Sequence, residues 1–307
     1  HERWRSSVPT MPTLAIIVNP TKFDDLAVPQ GVVDNAAGKA GWATAWYETT
    51  ADDPGVGQAK QAVEEGADVV CPLGGDGTVR QVASALVGTS TPLGLLPGGT
   101  GNLLARNLGL PVDNLADAVR TAVTGQDKRI DVGRITFDDD EPEVFLVMAG
   151  MGLDADTMAD ADEKLKAKVG WAAYVLSGAK SLFKPGFGVA LLSPGTWPVI
   201  QRAKSIVVGN CGTLTGDIRL MPDAEVDDGV LDAVVVAPSG IFGWAAVGAS
   251  LITRQRVGHR MLVRRRATRL EAIFSGPVGA QIDGDAIGPR TRLVAEVDPG
   301  SLVVRMP

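Results

Sequence analysis

The first third of the chain alternates short apolar runs with longer segments of helical spacing. The apolar runs, which predict β-strands, are Leu14–Val18, Ala43–Tyr47 and Asp68–Leu73. Helix-length segments fill the gaps between them, at Ala27–Ala40 and Val56–Glu65. Strands separated by helices in this way are typical of a parallel sheet with helices on both faces. The pattern therefore predicts a three-layer α/β domain.

Two glycine-rich turns follow two of the predicted strands. Gly74–Thr78 (GGDGT) follows the third strand, and Pro97–Asn102 (PGGTGN) follows a buried strand predicted over Pro92–Leu96. Helical spacing resumes after each turn, over Val79–Val87 and Leu103–Leu108. Because ligands of open α/β sheets bind at the carboxyl ends of the strands, this edge is the candidate binding site.

Beyond Asp131 the pattern changes to short β-rich segments, which predict an antiparallel β-sandwich. One helix-length segment, Asp154–Phe183, interrupts them. The uncharged stretch Ala233–Thr253 is about as long as the roughly 20 residues that a membrane span requires, but Pro238–Gly240 breaks it. We favour a buried strand followed by a short apolar helix, Ile241–Leu251.

The length of the chain, 307 residues, exceeds the size at which a single core keeps growing. We therefore expect two domains that share a cleft. The α/β domain is placed at 12–131, with a returning C-terminal strand at about 296–307, and the β-rich domain at 132–295. Residues 1–10 lack the charged-then-apolar pattern of a signal peptide and are interpreted as a tag or upstream sequence.

Composition and charge exclude several classes of protein for this chain. Hydrophobic residues make up 45% of the chain and charged residues 21%, as in an ordinary globular protein. The net charge of −7 argues against a nucleic-acid partner, because binding a polyanion depends on basic surface and counterion release. Cys71 and Cys211 are far apart, which excludes a zinc ribbon and fits a reducing cytosol. The histidines, His1 and His259, are too few for a histidine-rich metal site.

The turn Gly74–Thr78 has the composition of a phosphate-binding site. Its three glycines let the backbone approach a phosphate, and the helix that begins near Thr78 adds its positive end. The carboxylate of Asp76 would repel a phosphate unless a cation bridges the two groups, so Asp76 implies Mg²⁺, bound directly or through water. The alternative is a strand-to-helix turn that needs glycine for its geometry alone.

Three motifs together resemble the nucleotide-binding half of the diacylglycerol kinase catalytic family. They are Asn19–Thr21 (NPT) after the first strand, Gly74–Thr78 after the third, and Pro97–Pro111 (PGGTGNLLARNLGLP). Members of this family are similar in fold to NAD kinases and share the GGDG turn with phosphofructokinases. The likeness runs from about Leu14 to the C-terminus. It implies an enzyme that transfers the γ-phosphoryl group of ATP to a lipid hydroxyl, first of all that of diacylglycerol, which becomes phosphatidic acid.

The resemblance implies a set of ATP-binding residues at this sheet edge. They are Asn19, Pro20, Thr21, Thr49, Gly74, Gly75, Asp76, Gly77, Thr78, Thr100 and Asn102. Asn19 and Thr21 are short polar side chains at a strand end, where they can hold a ribose or phosphate oxygen or, alternatively, cap the next turn. Asp76 is assigned a catalytic role as well, through the cation.

The sequence departs from the family pattern in two places. Lys22–Asp25 (KFDD), which adds one lysine, stands where the family has a glycine-rich turn. Many members have an aspartate directly after the asparagine of the second loop, whereas this chain has Leu103. The aspartate–water–magnesium network that the resemblance implies then depends on Asp76 and Asp131, or, alternatively, the missing carboxylate alters binding of the acceptor. Arg106 agrees with the family pattern and either steadies anionic groups or forms a salt bridge on the helix surface.

A carboxylate is the expected general base, because the acceptor hydroxyl loses a proton as it attacks. Gln281–Asp285 (QIDGD) supplies two carboxylates around a glycine. The family reads DGE or DGD here and its second acid looks like the base, which implies that role for Asp285. Asp283 would support it or bind metal. The alternative is a plain hairpin turn, since Asp-Gly is a common turn dipeptide.

The segment Met221–Asp232 (MPDAEVDDGVLD) resembles a second signature of the bacterial members. There a structural Mg²⁺ is held by one carboxylate and by backbone carbonyls, which implies Asp228 with the carbonyls of Glu225 and Val230. Oxygen ligands suit this hard cation, and a plain acidic turn is the alternative. Met148–Asp154 fits the family's glycine-rich entry to the long helix, where small residues would leave room for the acceptor.

The basic segment His259–Arg269 (HRMLVRRRATR) is a candidate for contact with a membrane. Each basic residue near an anionic surface adds roughly 1 kcal/mol of binding. Arginines that alternate on an exposed strand face are the simpler interpretation, which we favour slightly.

The leading hypothesis is a cytoplasmic, ATP- and Mg²⁺-dependent lipid kinase of phospholipid metabolism. Its partners would be a lipid acceptor and, peripherally and transiently, the membrane surface. An NAD kinase-like enzyme is the nearest alternative, and a nucleotide-binding regulator without catalysis is another, prompted by Leu103. A homodimer stays an open alternative, and no nucleic-acid partner is expected.

Overall fold

The computed structural model describes residues 11–152, 185–214, 218–240, 243, 244, 246, 247 and 261–307. The chain divides into two units. Unit 1 comprises the chain up to Gly99 together with Leu110–Lys128 and Leu302–Pro307, and unit 2 comprises Thr100–Gly109 and Arg129–Ser301. The end of the second glycine-rich loop, from Thr100 onward, therefore belongs to unit 2 and not to the α/β unit.

Helices and strands alternate in unit 1, and strands predominate in unit 2. The described α-helices are α1 (Ala27–Lys39), α2 (Val56–Glu64), α3 (Asp76–Leu86), α4 (Leu103–Asn107) and α5 (Leu115–Thr124). The strands are β1 (Thr13–Val18), β2 (Ala43–Glu48), β3 (Val69–Gly74), β4 (Leu96–Pro97), β5 (Gln126–Phe137), β6 (Glu143–Phe145), β7 (Met148–Gly152), β8 (Phe187–Leu192), β9 (Val199–Ala203), β10 (Ser205–Gly209), β11 (Thr213–Leu214), β12 (Ile218–Arg219), β13 (Leu231–Val236), β14 (Leu262–Ala267), β15 (Arg269–Ile282) and β16 (Asp285–Met306). A short 3₁₀ helix, Pro20–Lys22, follows β1.

Unit 1 contains a four-stranded parallel sheet in the order β2-β1-β3-β4. Leu14 of β1 lies opposite Thr44 of β2 and Val69 of β3. Alternate residues of β1 and β3 pack against α1 and α5 in one apolar core, to which Val33 of α1 and Val119 of α5 belong. The predicted parallel α/β architecture is confirmed.

Helix α5 is an element that the sequence analysis did not predict. Asn114 caps it, because its side-chain oxygen accepts a hydrogen bond from the Asp117 N–H at 3.2 Å. Val119 and Val123 are among the residues that it buries against the sheet, and the others are Ala118 and Ala122.

The end of the chain lies against the parallel sheet of unit 1. The Leu93 N–H donates to the Val303 carbonyl at 2.8 Å, and the Leu93 carbonyl accepts from the Arg305 N–H at 2.9 Å. Arg305 also forms an ion pair with Asp127 at 2.9 Å and donates to the Gly125 carbonyl at 3.0 Å. Main-chain and ionic contacts together therefore hold the last strand in place.

Unit 2 contains a large sheet in which β14, β13, β10, β7, β15, β16, β5 and β6 follow one another, with β8 and β9 added beside β15. The pairs β14–β13, β13–β10, β10–β7, β7–β15 and β15–β16 are antiparallel. One apolar core includes Phe145, Met151, Ile206 and Leu270, all buried. The predicted antiparallel β-rich unit is confirmed.

The glycines of β7 meet a neighbouring strand. A Cβ at Gly150 would lie 2.3 Å from the Ile206 carbonyl oxygen, and a Cβ at Gly152 would lie 2.4 Å from the Lys204 carbonyl oxygen. Gly152 also has a φ of 128°, which favours glycine. Close approach of β7 to β10 therefore requires these glycines, and their part in leaving room for the acceptor stays a prediction.

Several predicted elements lie outside the described residues. These are the first ten residues, the helix Asp154–Phe183 and His259, together with all but four residues of the helix Ile241–Leu251. The strand predicted at the start of the uncharged stretch is present as β13. Within the described ranges, no helix has the length and apolar character needed to span a bilayer.

Candidate functional site

The carboxyl ends of the parallel strands bring the predicted nucleotide-binding segments of unit 1 to one edge. Asn19–Lys22 follows β1, Thr49 follows β2, Gly75 follows β3, and Gly98 follows β4. β1 and β3 are neighbours in the sheet, so the segments that follow them lie side by side. This is the edge at which open α/β sheets bind ligands.

Helix α3 begins at Asp76, two residues earlier than expected. Gly75, with φ −82° and ψ 179°, is its extended N-cap and has no side chain to bond the helix end. The first helical bond runs from the Val79 N–H to the Gly75 carbonyl at 3.1 Å. The N–H groups of Asp76, Gly77 and Thr78 therefore have no acceptor within the helix. Together with the positive helix end, they form a site suited to an anion.

The glycines of the two turns are required by close packing of backbone on backbone. A Cβ at Gly98 would lie 2.4 Å from the Gly74 nitrogen, and a Cβ at Gly99 would lie 2.9 Å from the Gly75 Cα. A Cβ at Gly74 would lie 2.6 Å from the Thr78 hydroxyl oxygen. The GGDGT turn is thus backed by the PGG turn, and the buried Thr78 side chain holds its shape.

The Asn19 side chain caps the turn after β1. Its Oδ1 accepts hydrogen bonds from the Thr21 N–H at 3.1 Å and from the Thr21 hydroxyl at 2.7 Å, and Pro20 opens the 3₁₀ helix. The Asn19 N–H donates to the Leu73 carbonyl at 3.1 Å, which ties this loop to the end of β3. Capping is therefore the role that the structure shows for Asn19, and its contact with ATP stays a prediction.

Lys22 reaches the GGDGT turn from the neighbouring loop. Its Cε lies 3.9 Å from the position that a Cβ at Gly75 would take. The ammonium group, one bond further along the side chain, is therefore near the N-terminal end of α3. Lys22 thus brings a positive charge to the place where phosphate is expected, although the family's glycine-rich turn is absent.

The remainder of the second loop is described in unit 2. Thr100 is exposed, whereas Asn102 is buried and adopts a left-handed backbone conformation with φ 48°, which asparagine tolerates. Asn102 is the N-cap residue of α4 but makes no capping bond with its side chain. Arg106 donates from Nε to the Gly101 carbonyl at 2.9 Å and so steadies this loop.

The QIDGD segment forms the tight hairpin between β15 and β16. Asp283 and Gly284 both have positive φ, 47° and 92°, as a type I′ two-residue turn requires. Ile282 pairs with Asp285 across the hairpin. Asp285 is exposed at the first position of β16. The hairpin alternative is therefore correct for the backbone, and the same turn presents Asp285 outward.

The buried carboxylate of Asp283 holds the hairpin against the segment Leu146–Met148. Its Oδ2 accepts from the Leu146 N–H and its Oδ1 accepts from the Val147 and Met148 N–H groups, each at 2.9 Å. The Asp283 N–H donates to the Met148 carbonyl at 2.8 Å. The two acids of the motif therefore have separate positions, because Asp283 anchors the turn while Asp285 faces out.

We predict that Asp283→Asn lowers the free energy of unfolding by about 2–4 kcal/mol, because an amide nitrogen would face a backbone N–H donor that the carboxylate now accepts. Urea denaturation followed by circular dichroism measures this loss. Asp285→Asn on the same hairpin is the control, and its unfolding midpoint should stay close to that of the wild type. An unchanged midpoint for Asp283→Asn would show that the Asp283 carboxylate does not stabilise the unit.

Asp131 has a structural position within unit 2. Its two carboxylate oxygens accept from the Gly300 N–H at 2.7 Å and from the Gly229 N–H at 2.6 Å. Its own N–H donates to the Val226 carbonyl at 2.7 Å, and its carbonyl accepts from Asn210 Nδ2 at 2.8 Å. Asp131 thus joins distant segments of unit 2, which accounts for it without a part in a magnesium network.

The segment predicted to hold a structural Mg²⁺ is engaged by an arginine. Asp228 accepts from the Val230 N–H at 3.1 Å and forms an ion pair with Arg266, which also pairs with Asp232 at 3.3 Å. Burial raises the pKa of Asp232 to about 6, and Arg266 opposes this rise. In the described part of the chain, no cluster of three acidic, histidine or cysteine side chains is suited to a metal. Arg266 therefore engages the Asp228 carboxylate, and the binding of a cation by Glu225, Asp228 and Val230 stays a prediction.

The arginines of β14 and its surroundings are occupied by contacts within unit 2. Arg266 pairs with two aspartates, Arg269 pairs with Glu296 at 2.6 Å, and Arg264 donates to the Leu220 carbonyl at 3.4 Å. These contacts support the interpretation of the basic segment as an ordinary strand face.

Unit 2 also contains a cavity of about 310 Å³ that the sequence analysis did not predict. Asn107 of α4 borders it and is fixed by two bonds with Thr213, one from its Nδ2 to the carbonyl at 2.9 Å and one to its Oδ1 from the N–H at 3.1 Å. Arg219 and Glu225 also line it. The lining residues other than Asn107 fall within 211–227, and the contact of Asn107 with Thr213 brings α4 to this segment from about a hundred residues earlier.

Two family models match the chain, one in each part. Residues 13–135 match the diacylglycerol kinase catalytic domain, and residues 147–306 match the YegS C-terminal NAD kinase beta sandwich-like domain. A diacylglycerol kinase from Bacillus subtilis (strain 168) is 26% identical over 257 residues, which cover 80% of each chain. A YegS-like lipid kinase from Pseudomonas aeruginosa is 31% identical over 259 residues, which cover 82% of each chain.

A solved structure shares the fold. The crystal structure of a diacylglycerol kinase from Bacillus anthracis str. Sterne superposes with a TM-score of 0.72 at 22% identity. The superposition covers 96% of this chain and 97% of that one. The likeness therefore extends over both units.

Proposed function

The chain belongs to the diacylglycerol kinase catalytic-domain family, and from this premise we propose that it transfers the γ-phosphoryl group of Mg·ATP to the hydroxyl of a lipid, with diacylglycerol as the preferred acceptor. The observation that carries the proposal is the N-terminus of α3 in the GGDGT turn, where the N-cap residue is a glycine in extended conformation and the backbone N–H groups of the first turn face the carboxyl edge of the sheet. The name of the Bacillus subtilis relative supports diacylglycerol as acceptor.

Three groups at one sheet edge of unit 1 form the proposed donor site. The N–H groups of Asp76, Gly77 and Thr78 offer hydrogen bonds to phosphate oxygens, and Lys22 adds a charge. The Asp76 carboxylate suits the Mg²⁺ that accompanies the nucleotide, because a hard cation prefers oxygen ligands. The ion is part of the Mg·ATP substrate, whose negative charge it offsets.

Asp285 is proposed to be the general base, which accepts the proton of the acceptor hydroxyl. A carboxylate in hydrogen-bond reach is the usual base in phosphoryl transfer by kinases. Asp285 is exposed directly after the two-residue turn, and the Asp283 carboxylate ties that turn to β7. A firmly held base loses little freedom when it meets the hydroxyl, which favours the reaction.

The test is direct transfer of label from γ-labelled ATP by the purified full chain in the presence of Mg²⁺. Mixed micelles containing diacylglycerol, monoacylglycerol or a sphingoid base are compared with NAD as acceptor. The proposal predicts labelled phosphatidic acid in the organic phase. Label on NAD alone would establish the NAD kinase alternative, and ATP binding without transfer to any acceptor would establish the regulator.

We predict that Lys22→Met raises KM for ATP by about 10- to 100-fold, which is the loss of one charge-assisted contact of about 1.5–3 kcal/mol. The expected change in kcat is smaller, because the base and the GGDGT turn are intact. Lys60→Met, at an exposed position of α2, is the matched control. An unchanged KM for ATP in Lys22→Met would remove Lys22 from the donor site.

A further inference from the structure

The hairpin formed by β8 and β9 in unit 2 exposes large apolar side chains. Trp197, at its tip, is 90% exposed, and Ile200, on β9, is 78% exposed. Large apolar side chains scattered singly over a surface need no explanation, but a cluster of them marks an interaction surface. A third exposed apolar side chain beside Trp197 and Ile200 would make such a cluster.

The strand register places Ile273 of β15 in line with Ile200. Ile200 lies opposite Ala190 of β8, and Ala190 lies opposite Ile273 of β15. Side chains at paired positions point to the same face of a sheet, so these three residues form one row across three strands. Ile273 is 46% exposed. The row therefore continues the exposed apolar surface from the hairpin onto the body of the sheet.

The charge of the hairpin is opposite to that of the whole chain. Residues 185–204 contain two basic residues, Arg202 and Lys204, and no acidic residue, in a chain of net charge −7. Arg202 is exposed two positions from Ile200 on the same strand, so both side chains lie on one face. Lys204 is two residues beyond Arg202, and burial together with the nearby charge of Arg202 lowers the pKa of Lys204.

We propose that the Trp197 surface, defined as Trp197, Ile200, Arg202 and Ile273, docks the protein on an anionic lipid bilayer. This inference rests on the proposed function, because a kinase of membrane lipids must reach an acceptor that resides in the bilayer. Tryptophan and isoleucine enter the interface between headgroups and acyl chains, and arginine stays among the anionic headgroups. The apolar tip and its basic flank together match that boundary.

The outer edge of β9 is poorly suited to pairing with a strand of another protein molecule. β9 pairs only with β8 in the described sheet, so its outer side is an edge. Pro198 precedes β9 directly, and the exposed Arg202 lies within it. Proline and charged side chains on edge strands oppose pairing with a further strand. The surface therefore favours a fluid lipid interface over a second copy of the chain.

The basic segment around β14 is less suited to binding a membrane than the Trp197 surface, because two of its arginines are paired with carboxylates. Arg266 and Arg269 are neutralised by ion pairs with aspartate and glutamate. Among the described residues, the exposed large apolar side chains of unit 2 are Trp197, Ile200 and Ile273. The Trp197 surface thus combines apolar area with positive charge.

The test is sedimentation of the full chain with vesicles of phosphatidylcholine containing phosphatidylglycerol, compared with vesicles of phosphatidylcholine alone. The wild type should bind the anionic vesicles more tightly. The double variant Trp197→Ser/Ile200→Ser, called the Trp197 variant below, should bind about tenfold or more weakly, because it loses apolar area that the bilayer buries. Arg202→Gln should weaken binding about fivefold on the anionic vesicles only.

The matched control changes an exposed apolar pair on unit 1. Val28→Ser combined with Val32→Ser removes two exposed side chains of α1 and should leave vesicle binding unchanged. Equal binding by the wild type and the Trp197 variant would overturn the proposal, as would absence of binding by the wild type. A change from dimer to monomer in light scattering of the Trp197 variant would assign the surface to a second copy instead.

Fluorescence provides a readout that does not depend on sedimentation. The difference between wild type and Trp197→Phe isolates the emission of this tryptophan, which should shift to shorter wavelength on addition of anionic vesicles. In the absence of vesicles, acrylamide should quench it readily. A Trp197 signal that acrylamide fails to quench would show that another part of the chain, such as residues 153–184, covers the surface, and would overturn the proposal.

Phosphotransfer separates failure of docking from failure of the proposed function. With a water-soluble, short-chain diacylglycerol, the Trp197 variant should turn over at the wild-type rate, whereas with diacylglycerol in vesicles its rate should fall about tenfold. Equal loss on both acceptors would overturn the docking role. Vesicle binding that depends on Trp197, in a chain that phosphorylates no lipid, would refute the kinase proposal and support the docking surface.

Discussion

Replacement of Asp285 by asparagine is expected to lower kcat by about 10²- to 10⁴-fold, the usual contribution of a general base, while the dissociation constant for ATP stays unchanged. Asparagine has almost the shape of aspartate but takes up no proton at neutral pH. The hairpin should keep its geometry, because the positive φ values lie at Asp283 and Gly284, which the substitution leaves in place. Steady-state kinetics and calorimetric titration with ATP measure the two quantities.

The control for this substitution is Asp139→Asn, which removes the same charge from another exposed turn of unit 2. Its kcat should equal that of the wild type. A loss of unfolding stability in Asp285→Asn as large as that expected for Asp283→Asn would mean that Asp285 stabilises the hairpin. Normal turnover by Asp285→Asn would remove the assigned base, and the family membership of the chain would be unaffected.

The parallel unit could be predicted from the sequence because its signals are local. Each strand of the sheet is a short apolar run, and the turns that follow β3 and β4 are rich in glycine. The order of the strands brings those turns to one edge by a general property of parallel sheets. Patterns of this kind can be read from a single sequence, so the fold class and the positions of the two glycine-rich turns followed from them.

The roles of individual acids could not be predicted in the same way. Asp283 and Asp285 are two residues apart, yet one accepts three backbone hydrogen bonds from Leu146–Met148 and the other is exposed. Asp131 likewise binds N–H groups from residues about a hundred or more positions later. Partners so distant in sequence leave no spacing pattern, and only the folded chain identifies them.

Contacts between separate segments explain two further differences between the structure and the predictions from sequence. Lys22 occupies a position where a glycine-rich turn was expected, and its approach to Gly75 depends on the pairing of β1 with β3. Arg266 reaches Asp228 from β14 and forms an ion pair with the carboxylate that the family resemblance assigned to a cation. In both cases a basic side chain from another segment supplies charge where the family resemblance implied a different group.

The Asp76 carboxylate has two explanations that a single substitution can separate. It lies in the first turn of α3, where a negative charge stabilises the helix by about 0.3–1 kcal/mol. It also follows Gly75 directly, beside the N–H groups proposed to bind phosphate, where a carboxylate is unfavourable without a cation. The first explanation predicts a small loss of stability alone, whereas the second predicts a loss of Mg²⁺-dependent catalysis.

We therefore expect Asp76→Asn to lower kcat/KM for Mg·ATP by about 10²- to 10³-fold, the scale of one lost electrostatic contact to the transferring group. The Mg²⁺ concentration needed for half-maximal rate should rise, because the variant lacks a ligand for the ion. Asp117→Asn is the matched control, since Asp117 also lies in the first turn of a helix, α5. Loss of activity in both variants would point to helix stability, whereas loss in Asp76→Asn alone assigns its carboxylate to the cation and makes the GGDGT turn a Mg·ATP site.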